Sequence, residues 1–130
     1  MIDSQLFKQH AYINGEWLSA LGGETQSIFN PATGQLIGTV PMMGRQEARQ
    51  AIAAANQALP AWRALPAKER SARLRAWFEL MLEHREELAR LMTIEQGKPL
   101  AEARNEILYA ASFVEWFAEE GKRVYGDVIP

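Results

Sequence analysis

Read for the spacing of its apolar residues, the chain changes period once, near residue 44. Before that point apolar and polar residues alternate over short stretches, as in strands; after it apolar residues recur every three or four positions, as in helices. In residues 11–18, AYINGEWL, Asn14 and Gly15 stand between two β-favouring runs. Both tolerate positive φ, so the dipeptide predicts a tight hairpin. A polar, glycine-bearing stretch over 19–26 leads into SIFNPATGQLIGTVP, where Asn30, Pro31 and Gly34 predict a turn between strands at 27–29 and 35–40.

From Arg45 onward, Ala48, Ala51, Ile52, Ala55 and Leu59 form one helical stripe, which Pro60 is expected to end. Residues 61–65, with Trp62, read as a connection, and Pro66 stands where a first helical turn accepts proline. Leu74, Trp77, Phe78, Met81 and Leu82 make the next stripe, with a solvated charged face opposite. Leu88, Leu91, Met92 and Glu95 share one side of 83–96, so the chain either bends near His84 or runs on as one long helix. In LMTIEQGKPLAEA, residues 91–103, Gly97 suits a left-handed helix stop and Pro99 a helix start, which predicts a rigid corner.

The last helix, 100–122, carries two stripes: Ile107, Ala110, Ala111, Val114, Phe117 and Ala118 on one side, and Tyr109, Phe113 and Trp116 on another. A helix apolar on two sides wants partners on both. VYGDVIP then reads as the opening of a strand cut short. The pattern therefore divides into β-hairpins over 1–43, about four antiparallel-packed helices over 44–122, and the start of a strand over 123–130.

Composition narrows the class. A chain of 130 residues, 48% hydrophobic with four Trp, can form a core and suits one domain or a large piece of one. Its 14 basic and 16 acidic residues are interspersed, giving a net charge of −2 and no basic footprint for nucleic acid or an anionic membrane. No apolar run approaches the roughly 20 residues of a membrane helix, and the first ten residues lack the order of a signal peptide. The expected compartment is the cytoplasm. With no cysteine, the chain has no disulfide, no thiolate zinc site and no thiol nucleophile.

No catalytic constellation can be assembled from what remains. His10 and His84 are the only histidines and neither has a metal-ligand spacing, so both read as surface positions. Glu86 and Glu87, like Glu119 and Glu120, are adjacent on a helix, point in different directions and read as solvated. Lys98 reads as part of a helix cap that helps neutralise the preceding dipole. No G-x-G-x-x-G or G-x-x-x-x-G-K-[ST] loop is present. Tyr109, Phe113 and Trp116 suit a pocket for an organic substrate or a packed interface, and such stripes usually pack.

Taken in order, YINGEW, FNPATGQLIGTVP, AIAAANQALPAWRALPAKER and TIEQGKPLAEA resemble the N-terminal part of the aldehyde dehydrogenase superfamily across essentially the whole chain. ASFVEWFAEEGKRVYGDVIP, with LMTIEQGKPLAEA, looks most like bacterial succinate semialdehyde dehydrogenases; glutarate semialdehyde enzymes share similar blocks. Asn105 stands where that subgroup commonly has glycine. The resemblance implies an α+β piece of an α/β fold, the N-terminal part of the cofactor domain.

It also implies a parent enzyme using NAD or NADP, in which a cysteine thiolate attacks the aldehyde, hydride passes to the nicotinamide, and a glutamate activates water. None of those groups maps here, so no catalytic or cofactor-binding residue is assigned and the chain alone is expected to be inactive. The resemblance places Asn105 and Tyr109 nearest the substrate funnel. It offers Phe29, through its backbone carbonyl, and Glu95 as a monovalent-cation pair. The implied partners are the rest of the dehydrogenase chain and further copies in a homo-oligomer. The alternative is a noncatalytic helical module that binds a partner through its last helix.

Overall fold

The computed structural model describes residues 4–127 and 129. Its elements follow the change of period: four short strands, then four helices. Strand β1 (Ala11–Ile13) pairs antiparallel with β2 (Glu16–Leu18). Asn14 and Gly15 between them have φ of 53° and 86°, the positive values a two-residue turn demands. Tyr12 lies directly opposite Trp17 in this register, with ring centroids 5.1 Å apart. Strands β3 (Thr25–Phe29) and β4 (Leu36–Pro41) form a second antiparallel pair. Ile28 pairs with Gly38 but Phe29 with Leu36, so a bulge at Ile37 bends the hairpin beside its turn.

Helix α1 (Arg45–Ala64) begins after Gly44 and is pinned by Glu47, whose carboxylate accepts the Gly44 N–H at 3.0 Å and the Leu21 N–H at 3.1 Å. One buried carboxylate thus ties the helix start to the loop between the hairpins. The expected stop at Pro60 is corrected: the helix continues to Ala64, taking in Trp62. The carbonyls of this last turn are served from outside, since the Arg70 guanidinium donates to Leu65 O at 2.5 Å and Arg63 O at 3.4 Å. Nothing local in the sequence announces that cap. The expected stripe is also not a core face: Ile52 and Leu59 are exposed, and of the five stripe residues only Ala51 is half-buried, on the stretch of helix that faces β1.

Pro66 caps α2 (Ala67–Glu83), standing one residue before its first turn. The choice left open at His84 resolves as a break, with α3 (Arg85–Gln96) starting on the next residue. The break is shallow, since the His84 N–H still reaches Leu80 O at 3.0 Å and its carbonyl accepts from Leu88 N–H at 2.9 Å. Gly97 ends α3 with φ of 78° and donates to Thr93 O at 2.9 Å. Pro99 then caps α4 (Leu100–Glu120). Residues 123–127 form no strand, and Val128 and Pro130 of the expected strand lie outside the described residues.

Helix α4 runs antiparallel along both α2 and α3. Arg75 on α2 meets Glu115 at 2.7 Å; eleven residues further along, Glu86 meets Arg104, eleven residues back on α4. Eleven residues are about three helical turns, so each helix presents one face throughout. Small side chains line that face: Ala103, Ala111 and Ala118 have no exposed surface, and Ile107 is buried among Ala89, Leu88, Met92 and Leu100. Ser71 is buried on α2, with Leu74, Phe78 and Met81 half-buried along the same side, while Trp77 points outward.

Replacing Gly97 tests the corner. A Cβ there would sit 3.0 Å from Pro31 Cγ, on a backbone already at positive φ. Gly97→Ala is expected to lower stability by about 1 to 2 kcal/mol, read as a reduced urea midpoint by helical circular dichroism; an unchanged midpoint would show that the corner carries no such constraint.

Candidate functional site

Two places in the fold collect the residues singled out by the sequence. The first is the junction between the β3–β4 turn and the α3–α4 corner. Asn30 shapes the turn, with its Oδ1 accepting from Ala32 N–H at 2.9 Å and its carbonyl from Gly34 N–H at 2.8 Å. That conformation sets Pro31 against Gly97. Phe29 and Glu95 each stand two residues before this contact in the chain. Glu95 lines a cavity of about 110 Å³ with Phe7, Ile28 and Val40. The Phe29 ring is exposed. No three His, Asp or Glu side chains that could hold a metal ion converge among the described residues.

The second place is the outer face of α4. Asn105 and Tyr109 lie two positions from buried residues on either side, about 200° around the helix, and so project away from α2 and α3. Tyr109 is 66% exposed and meets Phe113 edge-on, with centroids 4.9 Å apart. Trp116 and Phe117 continue the exposed surface into an open groove of about 910 Å³, rimmed by Arg75 and Arg123. The second apolar stripe is thus uncovered within this chain. Phe117 and Ala110, expected on the inner stripe, also face outward.

Several charged residues are bound more tightly than their spacing suggests. Glu86 takes the Arg104 fork, Nε to Oε1 at 2.8 Å and Nη2 to Oε2 at 2.8 Å, and this holds its carboxyl below the usual range. Glu87 accepts from Ser4 Oγ and lies 3.3 Å from His84 Nδ1; the serine is the main cause of its lowered pKa. Neither is simply solvated. Lys98 pairs with Glu106 on the next helix instead of facing the α3 dipole. Glu47 is held low chiefly by the Leu21 N–H. A glutamate three places after Gly44 was the available signal for this contact; the contacts of Ser4 and Arg104 leave no local trace.

Among the described residues, the one helix start that follows a glycine is that of α1, where the Glu47 carboxylate takes the Gly44 N–H; α2 and α4 start after prolines.

A profile of the aldehyde dehydrogenase family matches residues 17–130. The chain belongs to the aldehyde dehydrogenase family. This aldehyde dehydrogenase chain is 71% identical, over 98% of its length, to 27% of a glutarate-semialdehyde dehydrogenase from Pseudomonas putida. It is 68% identical, over 98% of its length, to 27% of an NADP-dependent succinate-semialdehyde dehydrogenase from Escherichia coli. The crystal structure of an E. coli NADP-dependent enzyme superposes with a TM-score of 0.96 at 68% identity, over 98% of this chain and 27% of that one. A succinate-semialdehyde dehydrogenase from Burkholderia pseudomallei gives 0.95 at 55% identity, over 100% and 27%. The chain therefore spans about a quarter of the length of these relatives.

Two outcomes follow from the electrostatics and the open face. Because the carboxyls of Glu47, Glu86 and Glu87 are lowered on folding, the stability they add is complete above the ordinary glutamate range, about pH 4.3, and is lost as pH falls through their folded values. Glu47→Gln, which cannot accept both backbone N–H groups, is expected to flatten the acid limb of a melting-temperature profile against pH; an unaltered limb would rule out this role. The purified chain is expected to bind a hydrophobic dye through Phe113, Trp116 and Phe117, with Trp116→Ser weakening the signal. Absence of dye binding by the parent chain would count against an open apolar face.

Proposed function

We propose that this chain is the N-terminal segment of an NAD(P)-dependent, cytoplasmic semialdehyde dehydrogenase, assembled in the parent as a homo-oligomer, that oxidises succinate semialdehyde or its glutarate homologue. The observation that carries the reading is the near-complete coverage of the chain by relatives at 68% and 71% identity that act on these two aldehydes. The segment's part is scaffolding. It contains no cysteine to form a thioester, so it is inactive alone. NAD or NADP would be held by the rest of the polypeptide. Asn105 and Tyr109 stand on the face of α4 that the remainder would cover, which suits a position beside the substrate funnel. Phe29 O and Glu95 suit a monovalent cation that braces the turn against the corner.

A chimera tests this reading. The matched segment of the E. coli succinate-semialdehyde dehydrogenase is replaced by this chain, and NADP reduction is followed with succinate semialdehyde and with glutarate semialdehyde. An active chimera, with no turnover by the 130-residue chain alone, is the expected result. A folded chimera that is inactive with both aldehydes would overturn the assignment, and turnover by the isolated chain would overturn its inactivity.

A further inference from the structure

The β3–β4 hairpin touches the helices only lightly, yet the chain before β1 bridges the two layers. Ser4 Oγ donates to Glu87 on α3 and also accepts the Leu6 N–H at 3.0 Å, which turns the segment along that helix. Phe7 and Lys8 then line the cavity shared by Ile28 and Val40 of the hairpin and Glu95 of α3. The Lys8 ammonium is held 5.6 Å above the Trp17 ring. At the far end, Gln9 Oε1 accepts the Thr39 N–H at 2.8 Å.

That last bond falls on the outer edge of β4. A strand edge presents unpaired N–H groups that can recruit another strand, and proteins close such edges with side chains, prolines or bulges. All three occur here: the Thr39 N–H is capped by Gln9, Pro41 has no N–H to offer, and Ile37 sits in the bulge. Gly38 makes the cap possible. A Cβ at that position would lie 2.5 Å from Gln9 Oε1 and 2.7 Å from Phe7 Cζ. Gly38 has no positive φ, so the space it leaves open, not its backbone freedom, is what this arrangement uses.

We infer that residues 4–9 are a strap: anchored on Glu87, seated over Gly38 and closed on Thr39, they shut the β4 edge and hold the hairpin to α3. The inference predicts an effect opposite to strand propensity. Valine is a better strand residue than glycine, so Gly38→Val would strengthen β4 if the strand alone mattered.

Hydrogen exchange on the full 130-residue chain decides between the two. With the strap displaced in Gly38→Val, the Thr39 amide is expected to exchange about tenfold faster, and trypsin to cut after Lys8 sooner, while amides in the α2–α4 interface keep their protection. Gln9→Ala removes only the closing bond; it is expected to speed exchange at Thr39 and leave Glu87 anchored to Ser4. Unchanged or slower exchange at Thr39 in both variants would overturn the strap. Should Gly38→Val lose its helical signal, the Gln9→Ala result decides alone.

Discussion

The approach of α4 to α3 is the contact on which the rest of the structure depends, and alanine makes it possible. Ala89 on one helix and Ala103 on the other retain no exposed surface, with Ile107 seated beside them. The separation of two packed helices is set by the side chains between them, so a larger residue at Ala89 or Ala103 would move the whole of α4. Gly97 and Pro99 reinforce the same geometry from the end of the helix pair, since the chain reverses there within three residues. Ion pairs at Arg75–Glu115 and Glu86–Arg104 sit at the margins of the interface and fit that one register. They are exposed and contribute little to stability, but a slide of one turn would separate both.

Fixing α4 in this way also fixes what it shows to the outside. Residues two places from each buried alanine must face away, which puts Asn105, Tyr109 and Phe113 on a single outward surface. The helix is thus a wall with one finished side and one unfinished side. The hairpins contribute little to either. They are tied on by specific contacts, namely Glu47 to Leu21, Pro31 against Gly97 and the segment before β1, and not by a shared apolar layer.

Much of this was legible in the sequence where a local rule operates. Asn14-Gly15, the Asn30-Pro31 turn, the Gly97-Pro99 corner and the inner stripe of α4 each depend on backbone geometry or periodicity over a few residues, and each is found close to its expected place. The misreadings share a different cause. Pro60 does not end α1: the helix runs on to Ala64, and the carbonyls at its end are met by Arg70, ten residues after the proline. The stripe of α1 is exposed because periodicity marks an apolar face without supplying an element to cover it. The donor to Glu87, Ser4, lies 83 residues away, beyond the reach of any local rule. For the site, Phe29, Glu95, Asn105 and Tyr109 are singled out by family likeness alone, and no pattern in the residues themselves selects them.

The distribution of side-chain size separates the residues that set helix positions from those that carry most of the apolar area. Among the described residues no large side chain is fully buried; the residues with no exposed surface are alanines, whose burial removes little apolar area from water. The aromatic residues that would each contribute about 1.5 to 3 kcal/mol if covered lie on the perimeter: Trp77, Tyr109, Phe113, Trp116 and Phe117. Selection for an independent domain would place such residues between α2, α3 and α4. Here the inner contacts are small enough to set helix positions closely, and the large apolar groups are kept at the boundary. Geometry in this segment is thus set by small buried side chains, because a contact between alanines leaves the helices little freedom in their separation, whereas the exposed aromatic groups constrain none of it.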